Sequence, residues 1–255
     1  MTSFEQLVGA ADTTAIKELD YSSFSEHDVL NLILQRSEII RDHDVKKKSP
    51  VVSAWLQGDA APGYALIEKM GDELMRRAAA IIWLEYQEIK PTLDTLSATS
   101  IADIGCGYAI FDLFFWRDFP GRVVLIDIET SDERHFGFAE TGSAYSNLDV
   151  ARSFLTKNGV KSSNVYCVNP QKEDLSRKKA VDLAVSFVSC GYHYPLSTYT
   201  NFFEKQVTPT GSVIVDLRRK RAAEEIEVLR PMGEVEEIAK VANGTGRRIL
   251  LRKNG

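Results

Sequence analysis

The chain has 255 residues, of which 44% are hydrophobic and 26% are charged. These values are typical of a globular domain and exclude a fibrous or wholly disordered chain. With 31 Lys and Arg against 36 Asp and Glu, the formal net charge is −5. This acidic balance weighs against a protein that mainly wraps a nucleic-acid backbone, although it is compatible with a local basic patch.

Membrane and secretion signals are not visible in the sequence. The longest apolar run lies within 78–84, far short of the ~20 residues that span a bilayer. The opening residues lack a basic segment followed by an apolar one. The three cysteines form no C-x-x-C pair, so neither a disulfide framework nor a cysteine-based zinc site is predicted. We therefore expect a cytoplasmic protein without a membrane partner.

Residues 1–97 are predicted to form a helical N-terminal region. Apolar side chains recur at helical spacing over 25–41, where Ser25 fits an N-cap. A second helix is predicted over 62–90, ended by Pro91, whose ring removes a hydrogen-bond donor. The region could form a lid, a wall of the substrate site or a dimer surface, and the sequence does not separate these roles.

Residues 98–255 are predicted to form an α/β domain, because short apolar strands alternate with helices. The predicted strands are 100–104, 122–128, 164–168, 182–189 and 211–217. The predicted helices are 110–118, 148–158 and 198–206. Two alternating runs joined by ANGTG then predict a closing hairpin. The expected fold is a Rossmann-like, mostly parallel sheet with an antiparallel C-terminal hairpin, preceded by the helical segment.

The stretch IADIGCGYAIFDLFFWRDFPGRVVLIDIE, residues 101–129, contains a candidate cofactor site. A strand ends near Asp103, and Gly105 and Gly107 then allow a tight turn that a ligand can approach closely. The next strand ends at Asp127, twenty residues after Gly107. An acid at that place can accept hydrogen bonds from both hydroxyls of an adenosine ribose.

Two cofactor classes fit this arrangement, and the sequence favours one of them. A dinucleotide-binding loop would read G-x-G-x-x-G, but position 110 is Ile. Asp103, immediately before the turn, would repel a pyrophosphate but could hold a cationic amino-acid ammonium. The pattern therefore favours S-adenosylmethionine over NAD.

From about residue 100 onward the chain resembles class I S-adenosylmethionine-dependent methyltransferases. ADIGCG matches the first family motif, LIDIE the second and DLAVSFVSCG the fourth strand, whereas Ala109 replaces a frequent third glycine. The cofactor-binding residues that the resemblance implies are Asp103, Gly105, Cys106, Gly107, Asp127, Ile128, Glu129, Glu173, Asp174 and Ser189. Two alternatives stay open: Glu129 as an exposed strand-end acid, and Glu173 with Asp174 as a solvated turn.

The loop after the fourth strand, SCGYHYP over 189–195, is where this fold places the acceptor. It lacks the N/D-P-P-Y motif of many amino-methyltransferases. His193 is the candidate general base for a hydroxyl acceptor, with Tyr194 as a second catalytic candidate. Tyr192 is a candidate substrate contact. The alternative is a loop histidine bonded to backbone, with both tyrosines serving in packing.

A long polar segment follows the second strand and contains three further candidate substrate residues, His135, Tyr145 and Asn147. The alternative is that Tyr145 and Asn147 cap the helix that follows. Together with the GYHYP loop, this segment is similar to bacterial methyltransferases that act on sugars or surface glycans.

These observations predict an S-adenosylmethionine-dependent O-methyltransferase for a hydroxyl of a small polar acceptor, best a sugar or glycan. The alternatives are an RNA or DNA methyltransferase, supported by LRRKR and GRRILLRK, and a non-catalytic partner subunit with the same fold. No metal is expected, because no acidic or histidine cluster has ligand spacing. Nucleic acid is an unlikely partner, and a homodimer is compatible with the sequence.

Overall fold

The computed structural model describes residues 2–41, 50–129, 146–241 and 244–255. Before residue 100 the described residues contain helices and no strand, as predicted. These helices are α1 (Phe4–Ala11), α2 (Thr14–Lys17), α3 (Glu26–Gln35), α4 (Pro50–Trp55), α5 (Ala61–Met70) and α6 (Asp72–Leu93). No helix in the described ranges is both long enough and apolar enough to cross a membrane.

Two of the helix predictions need correction. The helix predicted over 25–41 starts where expected, with Ser25 as N-cap, but α3 ends at Gln35 and a short 3-10 turn follows. The helix predicted over 62–90 is two helices, divided at Gly71, which adopts φ +54°. Pro91 does not end α6, which continues to Leu93 with Pro91 inside its last turn.

A seven-stranded sheet forms the centre of the described fold, in the order β3-β2-β1-β4-β5-β7-β6. Its strands are β1 (Ser100–Ile104), β2 (Arg122–Ile126), β3 (Val165–Val168), β4 (Val181–Ser186), β5 (Val207–Arg218), β6 (Gly233–Val241) and β7 (Gly246–Lys253). Neighbouring strands from β3 to β5 run parallel, and β7 pairs antiparallel with both β5 and β6. The predicted fold class is confirmed.

Helices cover both faces of this sheet, which explains the continuous apolar strands. The remaining described helices are α7 (Ile110–Asp118), α8 (Leu148–Lys157), α9 (Thr200–Lys205) and α10 (Ala222–Leu229). Neighbouring β1 residues Ile101 and Ala102 belong to two different hydrophobic clusters, because successive strand side chains point to opposite faces. Because β1 to β4 run parallel, their carboxyl ends lie at the same edge of the sheet.

The N-terminal helices share a hydrophobic cluster with the sheet. Leu30 and Leu74 lie in the same cluster as Ile101 and Leu183. A buried polar contact adds to this packing: the hydroxyl of Tyr108, which lies between β1 and the next helix, donates to the Asp28 carboxylate of α3 at 2.9 Å. The helical region is thus packed beside the carboxyl edge of β1.

Candidate cofactor and acceptor site

The turn after β1, residues 105–109, is shaped by three left-handed residues. Gly105, Gly107 and Ala109 have φ of +78°, +56° and +58°. A Cβ on Gly105 would lie 2.1 Å from the Ser189 hydroxyl oxygen, so only glycine fits there. Ala109, where the family often has glycine, takes the left-handed conformation at a cost of roughly 1 kcal/mol. We call residues 105–109 the glycine turn.

Asp127 ties the end of β2 to the glycine turn. Its carboxylate accepts the N–H of Gly107 at 2.9 Å and the N–H of Glu129 at 3.2 Å. Burial raises the pKa of Asp127, and these hydrogen bonds together with the nearby Ser146 hydroxyl oppose that rise. A carboxylate positioned this way still has lone pairs for the hydroxyls of a ligand.

Glu129 lies between the ends of β2 and β3. Its carboxylate accepts the Asn169 side-chain amide at 2.9 Å, and Lys172 lies 3.5 Å away. The hydrogen bond from Asn169 and the charge of Lys172 lower the pKa of Glu129. Asn169 was not predicted as a site residue; its signal in the sequence is an amide directly after the third strand.

Asp103 and Asp112 form a buried acid pair behind the glycine turn. Their exposed fractions are 4% and 0%. Burial, and then the adjoining Asp112 carboxyl, raise the pKa of Asp103, and burial raises that of Asp112. Among the described residues, no N–H or O–H donor reaches Oδ1 of Asp103 or either carboxyl oxygen of Asp112. Asp112 was not predicted; its signal is one acid inside IFDLFF.

Ser189 and Tyr194 adjoin the glycine turn from the loop after β4. Their hydroxyl oxygens are 2.9 Å apart. The Ser189 hydroxyl is the group that a Cβ on Gly105 would meet. Burial raises the pKa of Tyr194, so its hydroxyl stays protonated at neutral pH. His193 is half-buried in the same loop, and its backbone N–H donates to the Ser189 carbonyl at 2.8 Å.

Tyr192 points into the protein rather than toward the open edge. Its side chain is 1% exposed, and its hydroxyl oxygen is 2.6 Å from that of Thr245. The Arg218 guanidinium lies over its ring at 5.8 Å, and Arg221 donates to its carbonyl at 3.1 Å. This placement agrees with the packing alternative and offers a substrate no surface of Tyr192 to contact.

A buried ion pair supports the start of the same loop. The Arg248 Nε donates to the Asp216 carboxylate at 2.7 Å, and the Val188 N–H donates to it at 3.2 Å. Arg248 also lies 4.5 Å from the centre of the Phe187 ring. Asp216 therefore serves a structural ion pair.

The end of α3 completes this side of the site. Gln35 Oε1 is the nearest side-chain atom to a Cβ built on Gly107, at 3.9 Å. The next residue, Arg36, pairs with Glu85 of α6, with 2.5 Å between Nη1 and Oε1. The N-terminal region thus contributes the wall of the glycine turn.

The other predicted site residues lie at the edge of the site or outside the residues that the structure describes. Glu173 pairs with Lys178 at 2.5 Å, and the Asp174 carboxylate accepts the Ser176 N–H, both in an exposed turn. The Asn147 side chain caps α8 by accepting two N–H groups. Cys106 and Ile128 are half-buried beside the glycine turn and Asp127. His135 and Tyr145 lie outside the described residues.

Comparison with known proteins identifies the architecture. No model of a known protein family matches the chain, and no curated protein matches it. A candidate O-methyltransferase from Nostoc punctiforme PCC 73102 is 12% identical, covering 89% of this chain and 72% of that one with a TM-score of 0.50. The pyocyanin biosynthetic protein PhzM is 19% identical, covering 90% and 74%, also with a TM-score of 0.50. With the strand order described above, these likenesses show that the chain has the class I S-adenosylmethionine-dependent methyltransferase fold.

Proposed function

We propose that the protein is an S-adenosylmethionine-dependent O-methyltransferase that acts on a hydroxyl of a small polar acceptor. The observation that carries this proposal is the acidic site at the glycine turn. Asp103 lies behind the turn and Asp127 beside it, within a fold that many methyltransferases share. A ligand that suits this site has a cationic tail and a sugar with free hydroxyls.

The site residues fit S-adenosylmethionine better than a dinucleotide. The free methionine end of the cofactor has an ammonium group, which a buried Asp103 would attract. Asp127 would accept the ribose hydroxyls, with Glu129 as a neighbouring acid. A pyrophosphate at the same turn would meet Asp103, Asp112 and Asp127, which have no cationic partner among the described residues. Glu173 and Asp174 remain candidates for the adenine end only.

The loop after β4 would face the methyl group. S-adenosylmethionine supplies an electrophilic methyl carbon on a sulfonium, so the protein mainly aligns the acceptor and excludes water. His193 would accept the acceptor hydroxyl proton. Tyr194 keeps its own proton, and we therefore assign it hydrogen bonding and orientation through Ser189 rather than proton abstraction.

A sugar or glycan hydroxyl is the acceptor class that we favour. The polar sequence over 130–147, together with His193 and Tyr194 of the loop after β4, contains hydrogen-bonding groups suited to such an acceptor. The likeness to the Nostoc candidate O-methyltransferase is consistent with oxygen as the acceptor atom. Asn147 would contribute its amide N–H groups, since its carbonyl oxygen caps α8.

Several arginines of the basic segments that favour a nucleic-acid substrate form ion pairs or hydrogen bonds within the chain. Each arginine of β7 pairs with an acid: Arg247 with Glu237, Arg248 with Asp216 and Arg252 with Glu236. After β5, Arg221 donates to backbone carbonyls of the GYHYP loop. This reduces the positive charge available to a phosphate backbone.

Methyl transfer from labelled S-adenosylmethionine to a panel of acceptors tests the proposal. The panel holds monosaccharides, oligosaccharides, small phenols, total RNA and duplex DNA. We expect label on a hydroxyl of a sugar, at a rate that added salt changes little. Label on RNA or DNA with steep salt dependence would favour the second candidate. Cofactor binding without transfer to any class would favour a non-catalytic subunit.

A further inference from the structure

The acid pair of Asp103 and Asp112 has no visible counter-charge. Asp112 is the third residue of α7 and its side chain is fully buried. No Lys, Arg or His of the described residues forms an ion pair with either acid. Two buried carboxyls side by side cannot both ionise cheaply, so the pair retains a proton in the free protein.

Among the described residues, the charge that acts on the pair from outside is the negative charge of Asp127 at the end of β2. Cys106 faces the pair from the glycine turn, and burial and then the three acids raise the pKa of its thiol. On β3, burial raises the pKa of Cys167; Arg152 opposes this rise, and Asp112 adds to it. Both cysteines are therefore neutral at physiological pH. A cation placed near Asp103 would be the one positive charge within this group of described residues.

We propose that Asp112 is a positioning residue for the cofactor ammonium, and that the acid pair gives up its shared proton when this ammonium binds. The inference rests on the proposed function. The O–H bond of the shared proton breaks, the proton passes to the solvent buffer, and the ammonium takes its place as the balancing charge. Asp112 acts through Asp103, because it holds the second half of the proton site.

Proton release separates this role from a merely structural one. Calorimetric titration with S-adenosylhomocysteine at pH 7.0, repeated in phosphate and in imidazole buffer, gives the number of protons released per ligand. We expect about one proton from the wild-type protein and less than half of that from Asp112→Asn. The apparent affinity of the wild-type protein should fall up to about tenfold per pH unit on acidification, as one linked proton requires.

Two controls keep the test specific. Asp149→Asn removes an exposed acid from the first turn of α8 and should release protons like the wild-type protein. 5′-Methylthioadenosine retains the adenosine and thioether but has no ammonium, so its binding to the wild-type protein should release none. This second comparison needs no variant and stands even where Asp112→Asn fails to fold.

The outcomes distinguish the two proposals. Binding of S-adenosylhomocysteine with no buffer dependence, or with equal proton release from Asp112→Asn and the wild-type protein, overturns the role of the acid pair and leaves the proposed function intact. Absence of S-adenosylhomocysteine binding at any pH overturns both.

Discussion

The Asp216 carboxylate fixes Val188 in a conformation that a β-branched residue rarely adopts. Val188 has φ of +50°, and its N–H donates to Asp216 at 3.2 Å. Such strain persists only where the surrounding structure holds it. Here the surrounding structure is a buried Asp216–Arg248 ion pair, and Ser189, the neighbour of Gly105, follows directly.

Removing this carboxylate should therefore cost much stability. Asp216→Ala leaves Arg248 buried without its partner, and we expect the free energy of unfolding to drop by about 3–5 kcal/mol. Urea denaturation followed by circular dichroism measures it. Glu236→Ala removes the acid of the exposed Arg252 pair, where a loss below about 1 kcal/mol is expected. An equal loss of unfolding free energy in the two variants would show that the buried Asp216 pair stabilises the fold no more than the exposed pair.

Glycine at position 109 should make the protein more stable than alanine does. Its φ of +58° is left-handed, so Ala109→Gly relieves strain of about 1 kcal/mol, and after the entropy cost of glycine the free energy of unfolding should rise by up to about 0.5 kcal/mol. Ala79→Gly, in the middle of α6, should instead lower it by about 1 kcal/mol. Thermal or urea denaturation of the two variants checks these opposite changes in stability. A lower stability of Ala109→Gly would contradict the claim that the backbone at Ala109 is strained.

His193 should affect turnover and not cofactor binding. As the general base it would contribute about 10²–10⁴-fold to the rate, so His193→Ala should lose that factor in kcat at saturating cofactor. The affinity for S-adenosylhomocysteine, measured by calorimetry, should stay within about twofold of the wild-type value. His27→Ala, a change on α3 distant in sequence from the loop, serves as the control. Near-normal turnover of His193→Ala would remove the histidine from the mechanism.

The free protein should lose stability as the pH rises. The pKa values of Asp103, Asp112 and Asp127 are raised in the folded protein, chiefly by burial. Above their ordinary pKa the unfolded chain binds fewer protons than the folded one, so the free energy of unfolding falls with pH up to the raised values. Melting temperatures at pH 5 to 8 should show this fall, and Asp112→Asn should reduce its slope. A slope that Asp112→Asn leaves unchanged would contradict the assignment.

Local pattern predicted the strands of the sheet but not all of their ends: β4 ends at Ser186 rather than at residue 189, and β5 begins at Val207 rather than at residue 211. The β1 and α7 boundaries agree with the sequence prediction. The segment SIADI is a buried apolar strand, and the two glycines that follow it mark its end. The closing hairpin follows from alternation on both sides of a glycine-rich turn. At Gly71 and Pro91 the local signals were misleading, since a helical stripe continues across Gly71 and α6 continues to Leu93, past Pro91.

Motif position predicted which acids lie beside the glycine turn, whereas the contacts that depend on packing were missed; the roles of these residues in binding stay predictions. Asp103 and Asp127 follow from the ends of two strands. The partnership of Asp103 with Asp112, and of Glu129 with Asn169, arises from segments that meet only in the folded chain. Packing also explains Tyr192, whose burial against Thr245, in the turn before β7, has no trace in the loop sequence.

Binding of S-adenosylhomocysteine to the wild-type protein, compared with Asp127→Ala and with NAD as a competing ligand, tests the central claim most directly. We predict saturable 1:1 binding that weakens more than about tenfold in Asp127→Ala, as loss of charged hydrogen bonds to the ribose requires, and no displacement by NAD. Binding of NAD in its place, or no binding of the adenosyl ligand, would contradict the account.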